Sequence, residues 1–110
     1  MEKQLLYYQT PDGRLPFRDW LYCGSLEKKT KSIVIERLNR LSVGNPGDYK
    51  ALGRGVCELR IDFGPGYRIY YAHTGKAIIL LLCGGNKKTQ KKDIETAGEY
   101  WRDYKDRIND

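Results

Sequence analysis

With 110 residues the chain has room for one domain, residues 1–110, and no second core can be drawn from it. A hydrophobic share of 40% excludes a disordered tail, and the longest apolar run, Ala77–Cys83, is strand-sized and far short of a membrane span. The formal charge of +6 is concentrated: residues 44–92 carry nine Lys or Arg against three Asp or Glu, while residues 93–110 carry three against six. A basic stretch on an otherwise mixed chain is the electrostatic footprint of a polyanion binder, although a solvated face carries such charge too.

Met1–Tyr8 lacks the basic-then-apolar-then-small order of a secretory leader, so the expected compartment is the cytosol, with no membrane partner. Cys23, Cys57 and Cys83 are too few and too far apart for a disulfide framework or a C-x-x-C metal knuckle, and they read as buried, reduced thiols. With a single histidine and no paired acidic motif, the sequence points to chemistry without a protein-held metal or other cofactor.

Lys3–Gln9 is strand-like and ends at the turn Thr10-Pro11-Asp12-Gly13. Pro16 suits the first turn of a short helix whose Phe17, Trp20 and Leu21 share one face, with Gly24 as its stop. Ser25 fits as the N-cap of a second helix running to about Val43. Its apolar stripe is Leu26, Ile33, Val34, Leu38 and Leu41, and Lys28, Lys29, Lys31, Glu36 and Arg37 turn mostly to water. Asp48–Gly55 reads as a loop. Three strands follow, Val56–Asp62, Tyr67–His73 and Ala77–Cys83, joined by Phe63-Gly64-Pro65-Gly66 and by the tight turn Thr74-Gly75. Gly84-Gly85 is expected to break the last strand. Lys88 or Thr89 then opens a final helix with Ile94, Ala97, Trp101, Tyr104 and Ile108 on one stripe. The predicted fold is α+β in the order β-α-α-β-β-β-α: one twisted antiparallel sheet of four strands, an N-terminal helical hairpin and a C-terminal helix.

Alternation along the strands decides which side chains share a face. Cys57, Leu59 and Ile61 point to the core with Ile69 and Tyr71, which leaves Glu58, Arg60, Arg68 and Tyr70 on the other side. The Phe63–Gly66 turn makes Arg60 and Arg68 near neighbours, and the next hairpin brings Lys87 and Lys88 to the same edge. Like charges brought together cost energy unless an anion usually sits among them. Glu58 can instead neutralise Arg60, in which case the pair merely orders a solvated strand. Tyr70 is the best candidate for a base-stacking platform, whereas Tyr100, Trp101 and Tyr104 fit packing.

The run Leu52-Gly53-Arg54-Gly55-Val56-Cys57-Glu58-Leu59-Arg60-Ile61, then Tyr67-Arg68-Ile69-Tyr70-Tyr71, then Ile78–Leu82 followed by Gly84-Gly85-Asn86-Lys87-Lys88-Thr89-Gln90, resembles the RelE/ParE toxin superfamily. It is most similar to the phage-derived, HigB-like branch termed addiction module killer proteins. The resemblance implies a RelE-like fold and the toxin of a type II toxin–antitoxin system, a metal-independent endoribonuclease that cuts mRNA on the ribosome. It also implies a cognate antitoxin, a helix-turn-helix protein encoded beside it. Carried over by position, Arg60 and Arg68 match the family's phosphate-contacting arginines, Lys50 and Arg54 its basic loop residues, and Lys87 and Lys88 its basic segment after the last strand.

Such a reaction needs cations where charge gathers on the phosphoryl oxygens, a base for the 2′-hydroxyl proton and an acid for the leaving 5′-oxygen. Lys87, Lys88, Tyr70 and Glu58 are open choices for the last two roles. His73 sits beside the Thr74-Gly75 turn, at the far end of the hairpin from Arg68, and reads as a turn residue. Two readings compete with the nuclease: a ParE-like inhibitor of DNA gyrase that cuts nothing, and a non-catalytic RNA-binding module. The nuclease reading requires Arg60 and Arg68 on one side of the sheet and not sealed in separate internal ion pairs.

Overall fold

The computed structural model describes residues 2–109. Strand β1 (Gln4–Tyr7) leads to a short helix, α1 (Pro16–Arg18), which runs on into a π-helical turn over Asp19–Cys23. Helix α2 (Lys28–Ser42) is followed by β2 (Tyr49–Gly53), β3 (Val56–Ile61), β4 (Tyr67–Thr74) and β5 (Ile78–Asn86). A 3-10 turn (Lys87–Thr89) then opens α3 (Gln90–Ile108). Among the described residues no helix is long and apolar enough to cross a membrane.

The sheet has five strands in the order β1-β5-β4-β3-β2 and is mixed, which corrects the expected four-stranded antiparallel sheet. Two features account for the difference. The stretch expected as a loop holds β2, a short edge strand that pairs antiparallel with β3 from Tyr49↔Leu59 to Gly53↔Val56 across a bulge. Its exposed side chains and closing glycine give it no hydrophobic alternation to read. Strand β1 pairs with β5 in parallel, from Gln4↔Ile78 to Tyr7↔Leu81. No local turn sets its direction; the long excursion through the helices and β2–β4 does.

Both faces of the sheet are covered. Phe17, Leu21, Val34, Leu38 and Leu41 from the N-terminal helices pack on Leu59, Ile61, Ile69, Tyr71, Ile79 and Leu81. On the opposite face, taken from the sequence as outside the core, Ala97 and Trp101 of α3 bury Val56, Tyr70, Ala72, Leu80 and Leu82. The Trp101 Nε1–H donates to the Arg54 carbonyl at 3.0 Å and ties α3 to the β2–β3 turn.

Several local expectations change for physical reasons. Glu27, in extended conformation, occupies the N-cap of α2 instead of Ser25, and Leu26 packs against the core just before it. Arg37 is half-buried: its Nη1 donates to the Arg60 carbonyl at 2.7 Å and its Nη2 to the Pro46 carbonyl at 2.9 Å, so the helix braces a strand and a loop. Strand β5 does not stop at its glycine pair, because Gly84 and Gly85 keep their ladder partners Ile69 and Arg68. These glycines are places of close approach. A methyl group at Gly84 would overlap the Trp20 ring, and one at Gly85 would overlap the Asp93 carboxylate. Ile108, placed on the apolar stripe of α3, is exposed at the helix's last position. Cys83 is buried and Cys57 partly so, but Cys23 is exposed, and all three are free thiols.

Candidate functional site

Where α3 begins, it leaves one end of its sheet face open. Arg60 on β3 and Arg68 on β4 are direct cross-strand partners, and Gly85 is the next residue in that row. Partners in an antiparallel ladder project to the same side, so the two guanidinium groups stand together. Lys87 joins them from the 3-10 turn, and the three line an open cleft of about 350 Å³ with Asp48, Asp62 and the Gly64-Pro65-Gly66 turn. Gly66 takes φ +81, and a β-carbon there would stand 3.5 Å from Arg68 Nη1 and 3.6 Å from Lys87 Cβ. The left-handed turn thereby lets the backbone lie close under both cations.

The two arginines are held differently. Arg60 Nε donates to Glu58 Oε1 at 2.9 Å. Among the described residues, no protein group engages its two Nη atoms. Glu58 is fully buried, and its other oxygen accepts from Tyr70 Oη at 3.0 Å and Gln90 Nε2 at 2.9 Å. Burial pushes the Glu58 carboxyl up, but the bonds from Arg60, Gln90 and Tyr70 outweigh it and leave it below the ordinary carboxylate value. Burial and the Glu58 charge together push the Tyr70 phenol well above its ordinary value. Arg68 has no carboxylate partner among the described residues. Its Nη1 donates to the Tyr67 carbonyl at 3.2 Å, while its buried Nε finds no acceptor. A guanidinium without a carboxylate partner, set beside a second one at an open cleft, is an arrangement an anion would relieve.

Of the expected site residues, the fold therefore unites Arg60, Arg68 and Lys87. Lys50 pairs with Glu58 on the same side of the sheet but is exposed outside the cleft lining. Lys88 is exposed, and its backbone N–H donates to the Asn86 side chain at 2.9 Å, which caps the 3-10 turn. Arg54 is not part of the cluster. It occupies the turn at the other end of β3, at φ +56, and lines a groove against α3. Tyr70 is corrected outright: fully buried under α3, it can stack on no base. Glu58 and Tyr70 are likewise withdrawn from acid–base work, since both are consumed in the internal network.

His73 lies far from the cleft, where its Nδ1 is 3.2 Å from Lys3 Nζ, and burial and that ammonium hold its pKa below the ordinary value. Sequence reasoning missed Asp48, Asp62 and the brace Arg37. Asp62 had a signal, since it continues the alternation of Glu58 and Arg60; the other two had none.

A protein of Haemophilus influenzae, described as an uncharacterized protein, is 44% identical over 84 residues, covering 76% of this chain and 83% of its own length. The sequence profile of the phage derived protein Gp49-like family (DUF891) matches residues 22–102, which span α2, the whole of β2–β5 and every residue that lines the basic cleft. The chain belongs to this Gp49-like family.

Proposed function

We propose that this protein is the toxin of a type II toxin–antitoxin pair and an endoribonuclease that cuts mRNA, as its resemblance to RelE- and HigB-like proteins implies. The observation that carries this reading is the direct pairing of Arg60 and Arg68 across β3 and β4, with Lys87 in the same cleft.

The ribose 2′-oxygen attacks the adjacent phosphorus as the bond from phosphorus to the 5′-oxygen breaks. The products are a 2′,3′-cyclic phosphate and a free 5′-hydroxyl. Negative charge grows on the non-bridging oxygens, where the free Nη edge of Arg60 and the Arg68 guanidinium stabilise it in place. Asp48 and Asp62 are the acidic residues in the cleft lining, and the carboxylate of one of them takes the 2′-hydroxyl proton. Lys87, at the lip, returns a proton to the 5′-oxygen. Lys50 and Lys88 extend the basic surface along which the message lies. The partner is a cognate antitoxin, a helix-turn-helix protein encoded in the neighbouring frame.

Purified protein incubated with translating ribosomes, followed by mapping of 5′ ends on the message, tests the reading. Codon-dependent cuts that vanish in Arg68→Ala are the expected result, and Asp48→Asn and Asp62→Asn made separately identify the base. Intact message together with inhibited DNA supercoiling would transfer the protein to the gyrase-inhibitor class. Affinity for an uncleavable single-stranded oligonucleotide is expected to fall with salt, at a log–log slope of roughly −0.7 per phosphate contacted.

A further inference from the structure

We infer that Glu58 is a positioning residue that aims Arg60 into the cleft, and that Tyr70 and Gln90 act through it by occupying its second oxygen. The inference rests on the nuclease reading only for the identity of the anion.

An arginine beside a carboxylate tends to close on it with two parallel bonds, which uses up the guanidinium edge that would bind phosphate. Here Glu58 Oε1 receives only the Arg60 Nε, at 2.9 Å. Oε2 is filled by Tyr70 Oη at 3.0 Å from β4 and by Gln90 Nε2 at 2.9 Å from the first turn of α3. The carboxylate thus grips Arg60 end-on, and its second oxygen, already accepting two bonds, is not free to close a side-on pair with an Nη group. The other face of the guanidinium looks into the cleft shared with Arg68 and Lys87. Arg37 fixes the same residue from behind, through the Arg60 carbonyl at 2.7 Å.

Stability alone does not call for this construction. A buried carboxylate is costly to desolvate, and apolar replacements of such groups are often neutral or stabilising. Glu58 lies in the same sheet face as Leu80, Leu82 and Ala72, so an apolar side chain would continue that core. What the carboxylate adds is direction. Without it Arg60 faces Arg68, its cross-strand partner, and like charges in that register push apart.

The test compares Glu58→Gln, Tyr70→Phe, Gln90→Leu and the double variant Tyr70→Phe/Gln90→Leu, each with its thermal unfolding recorded. In wild type the Arg60 Nε–H should give a distinct NMR resonance protected from solvent exchange, and in Glu58→Gln that protection should be lost. Glu58→Gln should lower kcat for RNA cleavage roughly 10- to 100-fold with KM little changed, as misaimed groups do. The double variant keeps Glu58 but frees its second oxygen. It should retain the protected Nε–H, bring the Arg60 Nη protons into protection as well, and weaken binding of an uncleavable 2′-deoxy oligonucleotide.

Unchanged cleavage and unchanged Nε–H protection in Glu58→Gln would overturn the proposal. So would a double variant that binds the oligonucleotide as wild type does. Should Glu58→Gln fail to fold, the Tyr70→Phe, Gln90→Leu and double variants still decide the proposal, the single ones with smaller steps in the direction expected of the double. If wild type cuts no RNA, the nuclease reading fails while the NMR and oligonucleotide-binding results still decide the role of Glu58.

Discussion

The two faces of the sheet are built from the same strands and serve different ends. The face under the N-terminal helices is apolar along its length, with Leu59, Ile61, Ile69, Tyr71, Ile79 and Leu81 in one cluster. The face under α3 is apolar at one end, where Val56, Ala72 and Leu80 pack with Trp101 of the helix, and at the other passes through the buried Glu58 to the open pair Arg60 and Arg68. The difference lies in where α3 starts. Because the helix begins only at Gln90, it seals Tyr70 and Glu58 and, in the next row of the ladder, covers Gly85 with Asp93 while leaving Arg60 and Arg68 part-exposed. One face is devoted to stability, and the other gives up part of its core to hold charge beside water.

If that division holds, substitutions on the two faces should separate stability from activity. The largest loss of stability is expected on the apolar face. Ile69→Ala removes a fully buried side chain and should cost roughly 2–5 kcal/mol in denaturant unfolding. Arg68→Ala on the open row should reduce RNA cleavage on the order of 10²–10³-fold. Its melting temperature should stay at or slightly above wild type, since a like-charged cross-strand pair is relieved. A parallel fall in stability and activity would erase the contrast.

Gly85→Ala sharpens the boundary between the two functions, because the added methyl group would overlap Asp93 and press on Thr89 where α3 begins. A destabilisation of about 1–3 kcal/mol, together with weakened anion binding, is expected from the displaced first turn. The smallest effect belongs to His73, at the far end of the sheet. Burial and Lys3 hold its folded-state pKa below the ordinary 6.5, so the folded protein binds fewer protons than the unfolded chain just below that pH. Stability is fully present above 6.5 and declines as pH falls through it. His73→Gln should remove that decline in thermal unfolding while leaving cleavage at neutral pH unchanged.

Some of the site was legible in the residues before any coordinates. Alternation along Val56–Ile61 and Tyr67–Thr74 placed Arg60 and Arg68 on one side, and the short Phe63–Gly66 turn made them neighbours, because strand period and turn length are local properties. Lys87 followed from the next hairpin. Arg54, whose place no local pattern fixes and which only the family resemblance put among the RNA contacts, lies at the opposite end of β3 from Arg60. Tyr70 misled because alternation assigns a side and says nothing about what covers it.

The sequence by itself determined the α+β class, the order of the central strands and helices, and the meeting of Arg60 with Arg68, all through short-range periodicity and turn chemistry. Only the tertiary structure decided that β1 runs parallel beside β5, that Asp48–Gly55 contributes an edge strand, and that α3 turns the second face into a core. Those outcomes depend on contacts between residues far apart in the chain, whose free energy no local pattern encodes. The Glu58–Gln90 bond, which joins β3 to α3 across 32 positions, is of that kind.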